Sequence, residues 1–245
     1  MRKFLPLCAI FVAAASALAQ DSPPWPTPSA ESRKYHEYRK RETTPTYGLS
    51  KVKAIIAKIK ETDEGDMILG DDAYNALSLK EKFTYTMLHG EYFTQICDVI
   101  PPIQDEQKKI FGYFPSPFND EQMWSKRQKE FLHKNRVEII KLIRETIKAK
   151  GTVGVNLKEA IMETNAVELI PDLIAQFGKD KKDYDLLTVM MLLMKVNNYP
   201  AFKASASYKK LYGDESNYQA FIANNSANQK LIISRATAFY KSKKK

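Results

Sequence analysis

The clearest pattern in the chain is the return of apolar residues every three or four positions, which begins near Leu49 and continues almost to the end. Ile139, Ile143 and Ile147, for example, recur at intervals of four. This spacing follows one face of an α-helix. Strand-like alternation is confined to the short stretch Thr152–Val155, which we interpret as a loop between two glycines. The pattern therefore predicts an all-α fold, an irregular multi-helix bundle.

Cap chemistry predicts where one of the first helices begins. Ser78 is followed three residues later by a glutamate, which is the signature of a capping box. The helix that it opens is predicted to run to Pro101. Cys97 falls on the apolar stripe of this helix, so we expect it to be a buried thiol. His89 lies eight positions earlier on the same predicted helix, too far away to act as its base.

Further helices are predicted in the second half of the chain. Asn119 is expected to cap a long helix that ends at Gly151. Residues 183–196 are apolar on nearly every side, which is typical of a helix at the centre of a bundle. Two final helices are predicted near residues 214–224 and 226–242.

Residues 166–197 resemble one helix pair of a HEAT-type solenoid. Pro171 lies in the first helix of the pair, and the apolar run described above forms the second. A solenoid needs about three stacked repeats, and the sequence holds no second copy in register. The resemblance therefore implies one HEAT-like helix pair within the bundle.

The first 47 residues differ in character from the rest. A basic start, the apolar run Phe4–Ala15 and the small residues after it predict a signal peptide over residues 1–19. We therefore expect an exported protein, periplasmic or secreted, and no other apolar run is long enough to predict a transmembrane segment. Residues 20–47 are rich in proline and basic residues and predict a tether, whose removal should leave the melting temperature unchanged. Residues 48–245 are predicted to form a single helical domain.

Composition and charge narrow the range of partners. Hydrophobic residues make up 44% of the chain, which is enough for a packed core. Without residues 1–19, there are 36 basic and 29 acidic residues and a net charge of +7. This balance permits an anionic partner. We expect the partner to be a protein or an anionic envelope polymer, and we do not expect nucleic acid as the physiological partner.

The aromatic loop from Phe111 to Phe118, which is stiffened by Pro115 and Pro117, is the main candidate for a binding surface. Such a loop either folds onto the core as a plug or displays its rings to a partner. The basic residues of the predicted tether could contribute to the same surface. The candidate residues are Tyr113, Phe114, Phe118, Trp124, Arg39, Lys40 and Arg41.

The sequence contains no motif that assigns a chemistry. Glu130 and His133 have the spacing of half a di-iron site, but the other half does not occur. The acidic stretch of residues 61–72 lacks the ligand spacing of an EF-hand loop, so Asp71 or Asp72 is expected to cap a helix. We therefore predict no catalytic residue, no metal and no cofactor.

The leading hypothesis is a non-enzymatic exported protein that binds another macromolecule or an envelope component. One alternative is a helical hydrolase or lyase of envelope polymers, which would need a buried acid with a raised pKa in a cleft. Another alternative is a carrier of an apolar ligand, which would need a cavity beside Met190 and Met194.

Overall fold

The computed structural model describes residues 27–95, 101–118 and 121–244, and within them the chain is mainly helical. The α-helices of these ranges are α1 Ala30–Arg39, α2 Leu49–Ile56, α3 Asp71–Asn75, α4 Leu79–Leu88, α5 Lys126–Lys134, α6 Arg136–Lys150, α7 Val155–Glu163, α8 Ile170–Lys179, α9 Asp185–Val196, α10 Pro200–Lys203, α11 Ala206–Tyr212 and α12 Ser226–Lys243. The short strands are β1 Tyr92–Phe93, β2 Lys109–Phe111, β3 Gln122–Met123 and β4 Phe221–Ala223. The predicted all-α, multi-helix class is confirmed.

Helix α9 lies at the centre of the bundle, as its apolar sequence predicts. Every residue from Asp185 to Met194 is buried. A helix that is apolar on all sides needs cover on all sides, and α7, α8, α12 and strand β2 supply it. Helices α8 and α9 form the pair expected in residues 166–197. Pro171 lies in the first turn of α8, where its missing N–H costs no intrahelical hydrogen bond.

Helix α4 begins as predicted but is much shorter. The capping box at Ser78 is formed, with both of its hydrogen bonds present. The predicted end at Pro101 is wrong, because the helix ends at Leu88 and His89 is extended, with φ −150° and ψ 124°. His89 and Cys97 therefore do not share a helix, and Cys97 itself lies outside the described residues.

The chain leaves this helix to form a small antiparallel ribbon. Tyr92 pairs with Met123 and Phe93 pairs with Gln122. Gly90 permits the close approach, because a Cβ there would stand only 3.0 Å from backbone atoms of Met123. Strands of two residues are too short to produce a period-two pattern, so the sequence contains no sign of them.

The helix predicted from Asn119 to Gly151 is two helices. Helix α5 begins after Ser125, whose side chain and that of the third helical residue form a second capping box. At Asn135 the backbone departs from helical geometry, and the side-chain Nδ2 donates to the carbonyl of Phe131 at 2.8 Å. Gly151 ends α6 in the left-handed conformation, as predicted, with φ 68°. Asn119 lies outside the described residues.

The helix predicted over residues 214–224 is wrong, because this segment contains strand β4. Strand β4 pairs antiparallel with β2, and Ile110 lies opposite Ile222. Both isoleucines are buried in the main core. Side chains alternate across a sheet, so the other face carries Lys109, Phe111 and Phe221.

Residues 29–47 pack against the domain instead of hanging free, and we call them the N-terminal strap. Tyr35, Arg39 and Thr43 are buried. The backbone N–H of Thr43 donates to Asn156 Oδ1 at 2.9 Å, and Asn156 Nδ2 donates back to the Thr43 carbonyl at 3.0 Å. These contacts differ from the loose tether expected for residues 20–47. None of the described helices has the length and hydropathy that a membrane crossing requires.

Candidate functional site

Arg39, a member of the candidate surface, lies at the centre of a buried ion network. Its Nη1 donates to Glu106 Oε1 at 2.8 Å, and its Nε donates to Asp185 Oδ2 at 3.0 Å. His36 Nδ1 lies 3.1 Å from Glu106 Oε2. Arg39 Nη2 donates to the carbonyl of Tyr113 at 3.0 Å. Arg39 therefore anchors α1 from within and positions the backbone at Tyr113, while its own side chain is only 7% exposed.

Most of the aromatic loop is a plug on the core. Phe118 and Trp124 are buried, with their ring centroids 6.0 Å apart. Trp124 Nε1 donates to the carbonyl of Thr86 at 2.6 Å, which satisfies its only polar group. Phe114 is half-buried against the same core. These three rings are used by the fold and are not displayed.

Tyr113 is at the surface and is 38% exposed. It belongs to a group of side chains that are far apart in the sequence. Its ring meets that of Tyr212 edge to face, with centroids 5.6 Å apart. Lys195 Nζ lies 5.6 Å from the Tyr113 centroid and 5.1 Å from the Tyr212 centroid. The Tyr212 hydroxyl donates to the carbonyl of Gly112 at 2.9 Å, which joins α11 to the end of β2.

A second ring with lysines lies between strand β2, strand β4 and helix α11. Lys109 Nζ lies 4.5 Å from the centroid of Phe221, and Lys210 Nζ lies 5.7 Å from it. Beneath this ring, the centroid of Phe111 is 6.1 Å away, and Arg39 Cζ lies 4.1 Å from that centroid. The buried network is thus linked to the surface by two cation–ring contacts and by the tilted contact between the two rings.

We call this group the lysine–aromatic surface. Its members are Lys109, Tyr113, Lys195, Lys210, Tyr212 and Phe221. Within the described ranges, none of its three lysines forms an ion pair with a carboxylate. Burial lowers the pKa of Lys109, and Asp105 and Glu106 offset only part of that effect.

The two remaining basic candidates belong to the strap. Lys40 is half-buried and Arg41 is exposed. The Arg41 guanidinium carbon lies 5.6 Å from the ring centroid of Tyr38. Of the candidate residues, Tyr113 and Arg41 are therefore exposed. The half-buried ones are Lys40 and Phe114, and the buried ones are Arg39, Phe118 and Trp124.

Net charge is concentrated near the C-terminus. Residues 201–245 contain nine basic and two acidic residues, whereas residues 20–200 contain 27 of each. Residues 201–245 therefore carry +7 of the formal net charge of +9, and Arg2 and Lys3 carry the rest. Lys230 and Lys241 on α12, and Lys244 at its C-cap, are exposed on the side opposite the buried Ile232 and Phe239. This uneven distribution of charge can be counted from the sequence, but the total net charge alone does not show it.

A pocket of about 410 Å³ opens beside a buried carboxylate, Glu91. Glu91 accepts from the Tyr85 hydroxyl at 2.8 Å, from Ser125 Oγ at 2.5 Å and from Arg127 Nε at 2.9 Å. Burial alone would raise the pKa of Glu91, but hydrogen bonds from Arg127, Ser125 and Tyr85 lower it below its ordinary value. Glu91 is therefore held as a carboxylate and is a poor candidate for a general acid.

The carboxyl groups with a raised pKa lie elsewhere in the described part of the chain. Burial raises the pKa of Glu42, Glu159 and Asp183, and none of them lines this pocket. Lys158 Nζ donates to Asp183 Oδ1 at 2.6 Å, so Asp183 is an internal ion-pair partner. None of these three groups is therefore the acid of a catalytic site in the pocket beside Glu91.

The remaining residues that the sequence singled out are a histidine, two aspartates and three methionines, and their contacts are those of structural residues. His133 Nε2 lies 2.8 Å from Glu163 Oε1 on a half-exposed surface. Among the residues described, no three or more His, Cys, Asp or Glu side chains are grouped as metal ligands would be. Asp71 and Asp72 occupy the first turn of α3. Met190, Met191 and Met194 are fully buried core residues.

Comparison with known proteins gives no relative from which a function could be transferred. No protein family matches the chain, and no curated protein and no solved structure matches it.

Proposed function

We propose that the protein is an exported, non-catalytic binding protein that holds an anionic envelope polymer on the lysine–aromatic surface and the outer side of α12. The observation that carries this proposal is that residues 201–245 carry +7 of the formal net charge of +9. A surface with one sign of charge attracts the opposite charge from a distance and raises its local concentration.

The extent of the basic region favours a long ligand. Lys230 on α12 and Lys244 at its C-cap are 14 residues apart, which corresponds to about 21 Å at 1.5 Å per residue. The lysine–aromatic surface adds cations from β2, α9 and α11. Charges distributed over this length suit a linear polyanion better than a small anion, because each repeat unit can meet a separate lysine.

The aromatic members suit a polymer of sugar units. Tyr113 and Tyr212 hold each other edge to face, and Lys195 lies beside both rings. Rings fixed in this way lose little side-chain entropy when a ligand contacts them. An acidic polysaccharide offers both an apolar sugar face for such rings and anionic groups for the lysines.

The test measures binding of a polyuronate to the full chain between 50 and 500 mM salt, with a neutral polysaccharide of similar length as the reference. We expect the chain to bind the polyuronate and not the neutral polysaccharide. The affinity should fall steeply as the salt concentration rises, because salt screens exposed charges. The triple variant Lys230→Gln, Lys241→Gln, Lys244→Gln should bind about a hundredfold more weakly, at about 1 kcal/mol per lysine near an anionic surface.

The matched control removes three exposed lysines from the other part of the chain, Lys53, Lys58 and Lys60. This variant has the same net charge as the first triple variant, and its affinity should fall much less. Equal losses in the two variants, or binding that ignores salt, would contradict the proposal.

A further inference from the structure

Two ammonium groups converge on the half-exposed ring of Phe221. Lys109 reaches it from strand β2, and Lys210 reaches it from helix α11, at 4.5 and 5.7 Å from the ring centroid. Because both lie close to the same centroid, the two Nζ atoms are at most about 10 Å apart.

The nearby carboxylates do not neutralise this pair. Asp105 pairs with Lys108 at 3.0 Å, and Glu106 is engaged by Arg39 and His36. Lys109 Nζ donates to the carbonyl of Gln104, which is a neutral acceptor. In the described part of the chain, no carboxylate forms an ion pair with Lys109 or Lys210. A partly desolvated cation without a counter-ion is a source of binding energy for an anion.

The ring keeps the two lysines near each other. Phe221 is supported from below by Phe111, whose own face is covered by Arg39. Lys109 and Phe221 belong to paired strands and lie on the same side of the sheet, because Lys109 pairs with Ala223 and side chains alternate. Lys109 and Phe221 are thus held by the sheet and its buried support, Lys210 is held by helix α11, and none of the three lies on a loop.

We propose that Lys109 and Lys210 form a seat for one oxyanion group, a carboxylate or a sulfate, of an acidic sugar unit, with Phe221 contacting the unit itself. This inference rests on the proposed function and assigns the part of the surface that recognises a single unit. The seat requires both ammonium groups to approach the oxyanion to about 2.8 Å, the distance of a charge-assisted hydrogen bond. Lysines are point charges without the planar fork of arginine, so the seat accepts either oxyanion geometry.

The experiment is an NMR titration of the full chain with isotopically labelled lysine side chains. Two acidic disaccharides are added in separate titrations. One carries a carboxylate and the other carries a sulfate, so the two titrations identify the preferred oxyanion. We expect saturable shifts of the Lys109 and Lys210 side-chain signals. The variants Lys109→Gln and Lys210→Gln should each lose about tenfold in disaccharide affinity, with unchanged melting temperatures.

Lys209→Gln is the matched control, because Lys209 is exposed on the same helix and has no contact with the Phe221 ring. Its affinity should stay within about twofold of that of the unaltered chain. Shifts confined to other lysines, or an equal loss in the control, would overturn the inference. Polymer binding that persists unchanged in both seat variants would also refute the seat while leaving the proposed function standing. Failure of the unaltered chain to bind the polymer would refute the proposed function.

Discussion

At the scale of single residues, the interior of this protein contains charges that are paired within the fold. Arg39 faces Asp185 and Glu106, and Lys158 faces Asp183. Removing two ions from water costs free energy that their attraction only partly returns. Such pairs contribute little net stability, but they penalise any arrangement in which one partner is missing. We infer that they fix the position of the strap.

Replacing Arg39 by methionine tests this role. Arg39→Met leaves two carboxylates buried without their cation, and we expect it to lower the free energy of unfolding by about 3–5 kcal/mol. Urea denaturation followed by circular dichroism measures the change. Arg41→Met, at an exposed neighbouring position, should change stability by less than about 0.5 kcal/mol. Similar effects of the two substitutions would show that the buried pairs do not anchor α1.

Glu159 should make stability depend on pH. Burial raises its pKa, Glu163 raises it further, and Lys129 offsets part of the rise. The folded state therefore holds this proton more tightly than the unfolded chain does. The resulting stabilisation is complete below the ordinary pKa and is lost as the pH rises through the raised pKa.

The variant Glu159→Gln removes this titration. It should therefore melt at a higher temperature than the unaltered chain at pH 7, and the difference should disappear as the pH falls below about 4. Glu37→Gln, at an exposed position on α1, supplies the control and should show no such pH-dependent gain. Thermal melts at a series of pH values make the comparison. A gain for Glu159→Gln that is the same at every pH would contradict the assignment.

At the scale of elements, local chemistry in the sequence predicted much of the fold. The capping box at Ser78, the end of α6 at Gly151 and the central position of α9 are confirmed. Helix α12 also lies close to the predicted range of residues 226–242. These features depend on residues within one or two turns of each other, and such residues are neighbours in the sequence as well.

The elements that were missed depend on distant partners. Strands β1 to β4 are two or three residues long and exist because a partner strand pairs with them. The strap is polar enough to suggest a tether, but Arg39 meets Asp185, 146 positions away. No local pattern reports a contact of that kind, so the strap's burial could not be predicted.

The close packing of the strap on α7 gives a prediction for one glycine. Gly154 precedes α7, and a Cβ there would collide with the backbone of Glu42 and Thr43. Gly154→Ala should therefore destabilise the protein by about 1–3 kcal/mol, the usual cost of overpacking. Gly178→Ala, inside α8 with open space around it, should instead be neutral or stabilising by about 0.5–1 kcal/mol. Chemical denaturation distinguishes the two, and a harmless Gly154→Ala would mean that the strap can shift.

At the scale of the whole molecule, the candidate surface is assembled from segments that are far apart in the chain. Lys109 and Phe221 are more than 100 residues apart, and Lys195 comes from the end of the central helix. Sequence reasoning therefore identified Tyr113 but not its companions. The local charge balance could have directed attention to residues 201–245, since it does not require any contact to be known.

Deleting residues 20–47 should unfold the domain instead of leaving its stability unchanged. The deletion removes the buried side chains of Tyr35, Arg39 and Thr43 and leaves Asp185 unpaired. We expect a large fall in the melting temperature and a loss of polymer binding, because Arg39 supports Tyr113. The full chain is the reference. Calorimetry on the truncated and full chains measures the difference, and equal melting temperatures would restore the tether hypothesis.

The contact between Arg39 and Asp185 also sets an order of events during synthesis. The two residues are 146 positions apart. At about 5–20 residues per second, Asp185 is made about 7 to 30 s after Arg39. Throughout that interval the strap lacks part of its docking site, and its basic residues remain available to solvent or to a chaperone. The nascent chain can therefore complete its fold only after most of it has been made, and an export system that needs unfolded substrates would find the chain in that state for most of its synthesis.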